Sequence, residues 1–234
     1  MKNFFILLMI LVPLMQLAGQ DTLNQTDLQG RKHGSWVKRD SAGNKIYEGQ
    51  FEHGVPYGEF RYFYPNGAKK TVSNISEQGK RARTVSWFSN GKLMAKGNYL
   101  NEKRDSIWQF FSDLTEQIIS EDSYSNGNLN GPSKIFYPNG AVSEIKNYTN
   151  GIANGPWEMY FDDGKLKLKG NFLDGEKDGN FRIYSPDGQL LVKGKYFHGH
   201  QDGDWFYYDE KGAIRQQDFF NKGQLVRTTA TPEK

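Results

Sequence analysis

A 24-residue repeat constrains this chain more than any other feature of its sequence. Glycines keep this spacing at Gly30 and Gly54, and again at Gly127, Gly151, Gly175, Gly199 and Gly223. A second position follows the same period and carries Trp36, Phe60, Thr84, Trp108, Ser133, Trp157, Phe181 and Trp205, with one interval of 25 residues before Ser133. A fixed period of this length is typical of repeat proteins, whose units bury their apolar faces on one another.

Each unit contains the signals of two strands and two turns. The central turn has sequences such as YPNG, FSNG, FDDG and SPDG, which favour a tight hairpin turn that closes into a left-handed glycine with a bulge. After the turn that ends at Gly164, Leu166 and Leu168 alternate with Lys165 and Lys167. Because successive side chains of a strand point to opposite faces, this pattern predicts one buried and one solvated face.

Aromatic residues form three ladders along the repeat. The first is Phe63, Trp87, Phe111, Phe136, Tyr160, Tyr184 and Tyr208. The second is the ring position, the 24-residue series that begins with Trp36 and Phe60 and ends with Trp205. The third is Phe51, Tyr99, Tyr124, Tyr148, Phe172, Tyr196 and Phe220. A further glycine recurs two residues before the third ladder, at Gly49, Gly97, Gly170 and Gly194. Such a glycine leaves room for a ring from the neighbouring strand. We interpret the ladders mainly as the core of the array.

The segment from Gly151 to Phe172 has the pattern GxxxGxWxxYxxxGxLxxxGxY. It resembles the MORN repeat, and more closely the bacterial variant found in the YwqK-like antitoxin family, over roughly Asp27 to Val226. This resemblance implies an all-β fold, an elongated single-sheet array of about eight stacked antiparallel hairpins. It also implies an interaction surface without catalytic residues, and antitoxin members of that family neutralise a partner toxin.

The N-terminus has the order of a secretory signal. Lys2 precedes an apolar run from Phe4 to Leu17, which the small residues Ala18 and Gly19 follow. The run is short for an integral membrane span, so we expect residues 1–19 to be a signal peptide and the mature protein to be exported to the periplasm, the cell surface or the medium. Residues 20–26 are predicted as a linker, 27–226 as the repeat domain and 227–234 as a disordered tail. The chain has no cysteine, so no disulfide stabilises it.

No motif in the sequence predicts catalysis, a cofactor or a metal. The segment Asp174–Gly179 has acidic residues like a calcium loop, but Ser185 stands where such a loop needs a bidentate Glu. The four histidines are scattered over turns and lack a third nearby ligand for zinc. A formal net charge of +3 gives little attraction for nucleic acid. We therefore expect a non-enzymatic protein.

The repeat pattern breaks in the middle of the array, where turn glycines are lost and Arg81, Arg83 and Arg104 appear. Neutral decay of the repeat would explain this break, and so would a binding site for a protein partner. The predicted partner-binding set is Arg81, Arg83, Trp87, Arg104, Tyr160, Tyr184 and Tyr208. Because rows of Tyr and Trp also stack on sugar rings, a wall- or glycan-binding protein is the alternative function.

Overall fold

The computed structural model describes residues 23–230, which form strands and turns without a helix. The strands are β1 (Gln25–Thr26), β2 (Lys32–Arg39), β3 (Lys45–Glu52), β4 (Val55–Phe63), β5 (Lys69–Ser76), β6 (Arg81–Trp87), β7 (Leu93–Leu100), β8 (Lys103–Phe111), β9 (Ile118–Ser125), β10 (Asn128–Phe136), β11 (Val142–Thr149), β12 (Ile152–Tyr160), β13 (Leu166–Leu173), β14 (Glu176–Lys177), β15 (Gly179–Tyr184), β16 (Leu190–Phe197), β17 (His200–Tyr208), β18 (Ile214–Asn221) and β19 (Gln224–Ala230). Each strand pairs antiparallel with its sequence neighbours, except that β14 and β15 together form one interrupted strand beside β13. The predicted single-sheet array of eight hairpins is confirmed.

The two ends of the array differ from the predicted boundaries. The last two residues of the predicted linker, Gln25 and Thr26, form β1 and pair with β2. The predicted disordered tail is wrong for Arg227–Ala230, which continue β19 against β18. Thr228 is fixed there because its hydroxyl donates a hydrogen bond to Asp218 Oδ1 at 2.8 Å. The predicted signal peptide, and residues 231–234, lie outside the described residues.

Two kinds of turn join most of the strands, and both need left-handed residues. In the central turn at Tyr64–Gly67, Gly67 has a φ of 80° and its N–H donates to the Tyr64 carbonyl at 2.9 Å. The β4–β5 register shifts just before this turn, which confirms the predicted bulge. The other turn has two residues with positive φ, as at Asn150 (50°) and Gly151 (87°). This is the primed turn whose twist matches that of antiparallel strands, and it explains the 24-residue spacing of the first glycine.

A wide bulge follows most of the two-residue turns. Three residues of β3, Glu48 to Gln50, oppose five residues of β4, Tyr57 to Arg61, and Gly58 within the bulge has a φ of 68°. Ser106 takes the same left-handed conformation in β8, with a φ of 60°. The pair β5–β6 has no bulge, because a four-residue turn at 77–80 replaces the two-residue turn and absorbs the shift. The later residues of β6 therefore point to the same faces of the sheet as their equivalents in the other units.

The core is one row of rings on a single face of the sheet, which we call the aromatic face. It carries the second and third ladders, and the rings of Phe60, Trp108, Phe181 and Trp205 are almost completely buried. Trp108 covers Gly97 on the preceding strand, and its Nε1 donates to the Asn98 carbonyl at 2.8 Å. Burying one such ring removes roughly 150–250 Å² from water, worth about 4–6 kcal/mol before the entropic cost. The predicted core role is confirmed for these ladders.

Candidate binding region

The row of rings is interrupted at β5 and β6. Thr84 occupies the position that Phe60 and Trp108 occupy in the neighbouring units. Ser73 occupies the position of Gly49 and Gly97, the glycines that Phe60 and Trp108 cover. Ser73 and Thr84 are directly opposite each other, and their hydroxyls are hydrogen-bonded at 2.9 Å. A second hydroxyl pair, Thr71 and Ser86, lies beside them at 3.0 Å. Polar side chains are buried here without penalty because they satisfy one another.

The interruption leaves a hollow on the aromatic face, which we call the gap. Its volume is about 690 Å³, within the range of ordinary ligand sites. Phe60 and Tyr62 form one wall, Tyr99 lies at the other side, and Ser73 and Thr84 lie on the floor. The gap is therefore a trough with aromatic sides and a floor whose hydroxyls are already paired.

The exchange of a ring and a glycine for two polar side chains occurs at other places too. Ser133 donates a hydrogen bond to Asp122 Oδ1 at 2.6 Å, where a ring would otherwise cover a glycine. Asp218, which is 5% exposed, accepts from Thr228 at the end of the row. Thr84 and Ser133 are visible in the sequence as non-aromatic residues at the ring position, but their partners Ser73 and Asp122 were not predicted. The signal was available, because each interruption falls opposite a position where the recurring glycine is also lost.

The opposite side of the same strands, which we call the reverse face, has a second hollow. This reverse cleft has a volume of about 670 Å³. Its floor is formed by Val72 and Val85, and its polar lining includes Arg61, Lys69 and Arg83. The same two positions carry the ion pair Glu48–Arg61 in the preceding unit and the ion pair Glu121–Lys134 two units further along. The cleft is thus an apolar patch bordered by cations.

The cations of the reverse cleft differ in their partners. Arg61 pairs with both Glu59 and Glu48. Lys69 Nζ lies 3.9 Å from the ring centroid of Trp87, a distance typical of a cation–π contact. Arg83 is exposed and forms no ion pair or side-chain hydrogen bond with any residue of 23–230. Arg83 is therefore the guanidinium that remains available to a carboxylate from outside.

The predicted partner-binding residues do not form one site. Arg83 and Trp87 both line the reverse cleft. Arg81 pairs instead with Glu77 at 3.0 Å beside the four-residue turn. Arg104 lies on the aromatic face, where its Cζ is 4.8 Å from the ring centroid of Trp108. The structure therefore gives Arg104 a role in holding core rings.

The three tyrosines of the predicted set lie on the reverse face of later units, on β12, β15 and β17. Tyr160 donates a hydrogen bond to Glu158 Oε2 at 2.7 Å. Desolvation and this bond to a carboxylate raise the pKa of Tyr160 to about 12. Bonds from Tyr160 and Lys169 in turn lower the pKa of Glu158. Tyr160 thus belongs to a polar network with Glu158 and Lys169 on the reverse face, and all three tyrosines lie three or more units from the reverse cleft.

Neither a metal-binding cluster nor a membrane-spanning helix is found among residues 23–230. No group of three His, Asp or Glu side chains in that range is placed to hold a metal ion. No helix there has the length and apolar character needed to cross a membrane.

Comparison with known proteins identifies the repeat. Residues 83–101, 129–150, 153–174 and 177–198 match the family model described as the MORN repeat variant. The chain is thus a repeat protein with at least four units of this type. A search among curated proteins found no match to this chain.

Solved structures show only distant likeness. A crystal structure of TcdB2-TccC3 is 12% identical over 82% of this chain and 13% of its own, with a TM-score of 0.23. A structure of the Tc holotoxin pore of Photorhabdus luminescens is 12% identical over 78% of this chain and 12% of its own, with a TM-score of 0.20. The chain spans about an eighth of the length of these two matched chains.

Proposed function

We propose that this protein is a non-enzymatic interaction module that binds a protein partner through strands β4 to β6. One observation carries the proposal: the strands where the repeat pattern breaks are hollow on both faces, with the gap on one side and the reverse cleft on the other. Repeat arrays present extended binding surfaces, and their specialised units differ from the regular ones.

The reverse cleft supports a protein partner in particular. Val72 and Val85 offer an apolar strip, Trp87 offers a ring, and Arg83 offers an uncompensated charge. Arg and Trp are the residue types that most often dominate protein interfaces, because they combine a large contact area with directed hydrogen bonds. An extended partner segment with an acidic side chain over Arg83 would satisfy all of these groups.

We further propose that the protein is exported after removal of residues 1–19, on the basis of the N-terminal pattern. We also propose immunity to an exported toxin as the most specific form of its function. The immunity form rests on the resemblance to the YwqK-like antitoxin family, and it predicts that the captured partner is toxic when produced alone. Wall or glycan binding is less well supported, because the rings that would stack on sugars are largely used in the core: Trp108 and Trp205 are each 2% exposed.

The test is an affinity capture followed by a binding measurement. Tagged protein from Gln20 onward is used to capture partners from the envelope extract of the host, and the affinity of the purified partner is then measured. Arg83→Ala should weaken binding at least about fivefold, since a charge-assisted contact is lost, while the melting temperature is unchanged. Arg215→Ala is the matched control, because Arg215 is also exposed but lies on β18.

Two results would contradict the proposal. Equal affinities for the wild type and Arg83→Ala would remove the reverse cleft as the interface. Recovery of wall fragments alone, lost after glycan digestion, would favour the alternative function.

A further inference from the structure

The gap has the position and surroundings of a missing ring. Along the aromatic face, Phe51 and Phe60 are in edge contact with centroids 5.2 Å apart, and Tyr99 and Trp108 are in a similar contact at 4.9 Å. Between these two pairs the repeat places Thr84, whose side chain ends at the floor. An aromatic side chain at this point would continue the row in the same manner as in the neighbouring units.

A cation lines the gap and is available to such a ring. In three units a basic residue four positions before the ring lies over it: Lys32 over Trp36 and Arg104 over Trp108, both at 4.8 Å, and Lys177 over Phe181 at 6.0 Å. Lys80 is four positions before Thr84 in the sequence. Because β5–β6 has no bulge, however, the residue paired as Arg104 and Lys177 are paired is Ala82, and Lys80 is the turn residue just before β6. Lys80 is exposed, lines the gap and makes no side-chain ion pair or ring contact within residues 23–230. Lys80 is thus a cation at the edge of the gap that has no ring partner among residues 23–230.

We propose that the gap receives an aromatic side chain, Trp, Tyr or Phe, from a protein partner. The ring would lie over Ser73 and Thr84, between Phe60 and Tyr99, with its negative face toward the ammonium group of Lys80. The charge complementarity is that of a cation–π contact, which stabilises a ring placed within about 6 Å of a cation. The proposal rests on the proposed function, because a protein partner must supply the ring. The gap itself lies on the opposite face of the sheet from Arg83.

The floor of the gap favours a ring over a sugar. The Ser73–Thr84 and Thr71–Ser86 hydroxyls are paired with each other. Within residues 23–230, no buried side-chain nitrogen or oxygen lacks a hydrogen-bond partner. A sugar would bring many hydroxyls that need partners, and desolvating them without new hydrogen bonds is costly. An aromatic ring makes no such demand and gains contact with two aromatic walls.

The test uses the full chain and a small probe. The tripeptide Ac-Gly-Trp-Gly-NH2 is titrated while the methyl resonances of Ala82 and Thr84, which line the gap, are followed by NMR. We expect saturable shifts at both methyl groups, and weaker or no saturation with Ac-Gly-Leu-Gly-NH2. Lys80→Gln should weaken binding of the Trp probe by two- to tenfold. Lys211→Gln, a change at an exposed turn lysine far along the array, should leave it unaltered.

A second variant keeps the result interpretable. Ser73→Gly combined with Thr84→Trp supplies the missing ring from the chain itself, and it should abolish the shifts at Ala82 without lowering the melting temperature. Equal affinities for the Trp and Leu probes would overturn the proposal, as would shifts with chitotriose but not with the Trp probe. If neither probe binds, the gap is not the site, whereas the effect of Arg83→Ala on partner affinity still tests the proposed function separately.

Discussion

The ring of Trp108 and the bare backbone of Gly97 should behave as one unit of stability. A Cβ atom at Gly97 would overlap three atoms of the Trp108 indole. We consider Gly97→Ser, Trp108→Thr and the double variant, which copies the native Ser73–Thr84 pair into β7 and β8. Gly97→Ser alone should cost about 1–3 kcal/mol through overpacking.

Trp108→Thr alone should cost about 3–5 kcal/mol, because a side chain that is 2% exposed is truncated and its bond to the Asn98 carbonyl is lost. In the double variant the overlap is gone, and the two hydroxyls can form a hydrogen bond like the one at 2.9 Å between Ser73 and Thr84. That bond is worth about 1 kcal/mol. The double variant should therefore be about 2–4 kcal/mol more stable than the sum of the single changes predicts.

Urea unfolding followed by far-UV circular dichroism measures these free energies, and a constant m-value shows that the same surface unfolds in each variant. Trp108→Thr combined with Gly170→Ser is the matched control, because these residues are not paired and their effects should add. Additivity within about 0.5 kcal/mol for Gly97→Ser and Trp108→Thr would refute the reasoning that ring and glycine are coupled.

Other predictions concern backbone strain, pH and the core cations. Ser106→Gly should raise the melting temperature by about 2–4 °C in a thermal melt, since a left-handed φ of 60° costs a non-glycine residue about 1 kcal/mol. Tyr160 has a pKa raised above its usual value near 10 to about 12, so its contribution to stability is fully present below pH 10 and is lost between pH 10 and 12. Melting temperatures of Tyr160→Phe should fall less steeply than those of the wild type over that window, and equal slopes would contradict the role of Glu158. Arg104→Ala should lower the melting temperature by several degrees, because its guanidinium holds core rings, whereas Arg81→Ala should change it by less than about 1 °C.

Much of the fold could be predicted from the sequence, because the constraint is local and repeated. The turn glycines require a positive φ that other residues adopt only at a cost, so their spacing marks every hairpin. The predicted cover of Gly49, Gly97 and Gly194 by a ring follows from the same alternation. Conversely, the left-handed Ser106 and the four-residue turn at 77–80 could not be predicted, since neither carries the glycine pattern that signals them elsewhere.

The candidate site was predicted only in part, for a geometric reason. The arginines were grouped by their place near turns, yet the face of a strand is set by parity. Arg83 is adjacent to Thr84 and so faces away from the rings, whereas Arg104 is four residues from Trp108 and faces them. The gap was missed because it depends on two positions, Ser73 and Thr84, that are eleven residues apart and become neighbours only through strand pairing.

The hydrogen-bonded polar pairs that interrupt the row of rings also have a mechanical consequence. Interlocked rings resist sliding and twisting of neighbouring strands, because many dispersion contacts must shift together. At Ser73–Thr84 and Ser133–Asp122 this resistance is replaced by single hydrogen bonds, which tolerate small rotations. We therefore expect stiff blocks joined at two compliant points within residues 23–230, and one of these joints is the place where the gap lies.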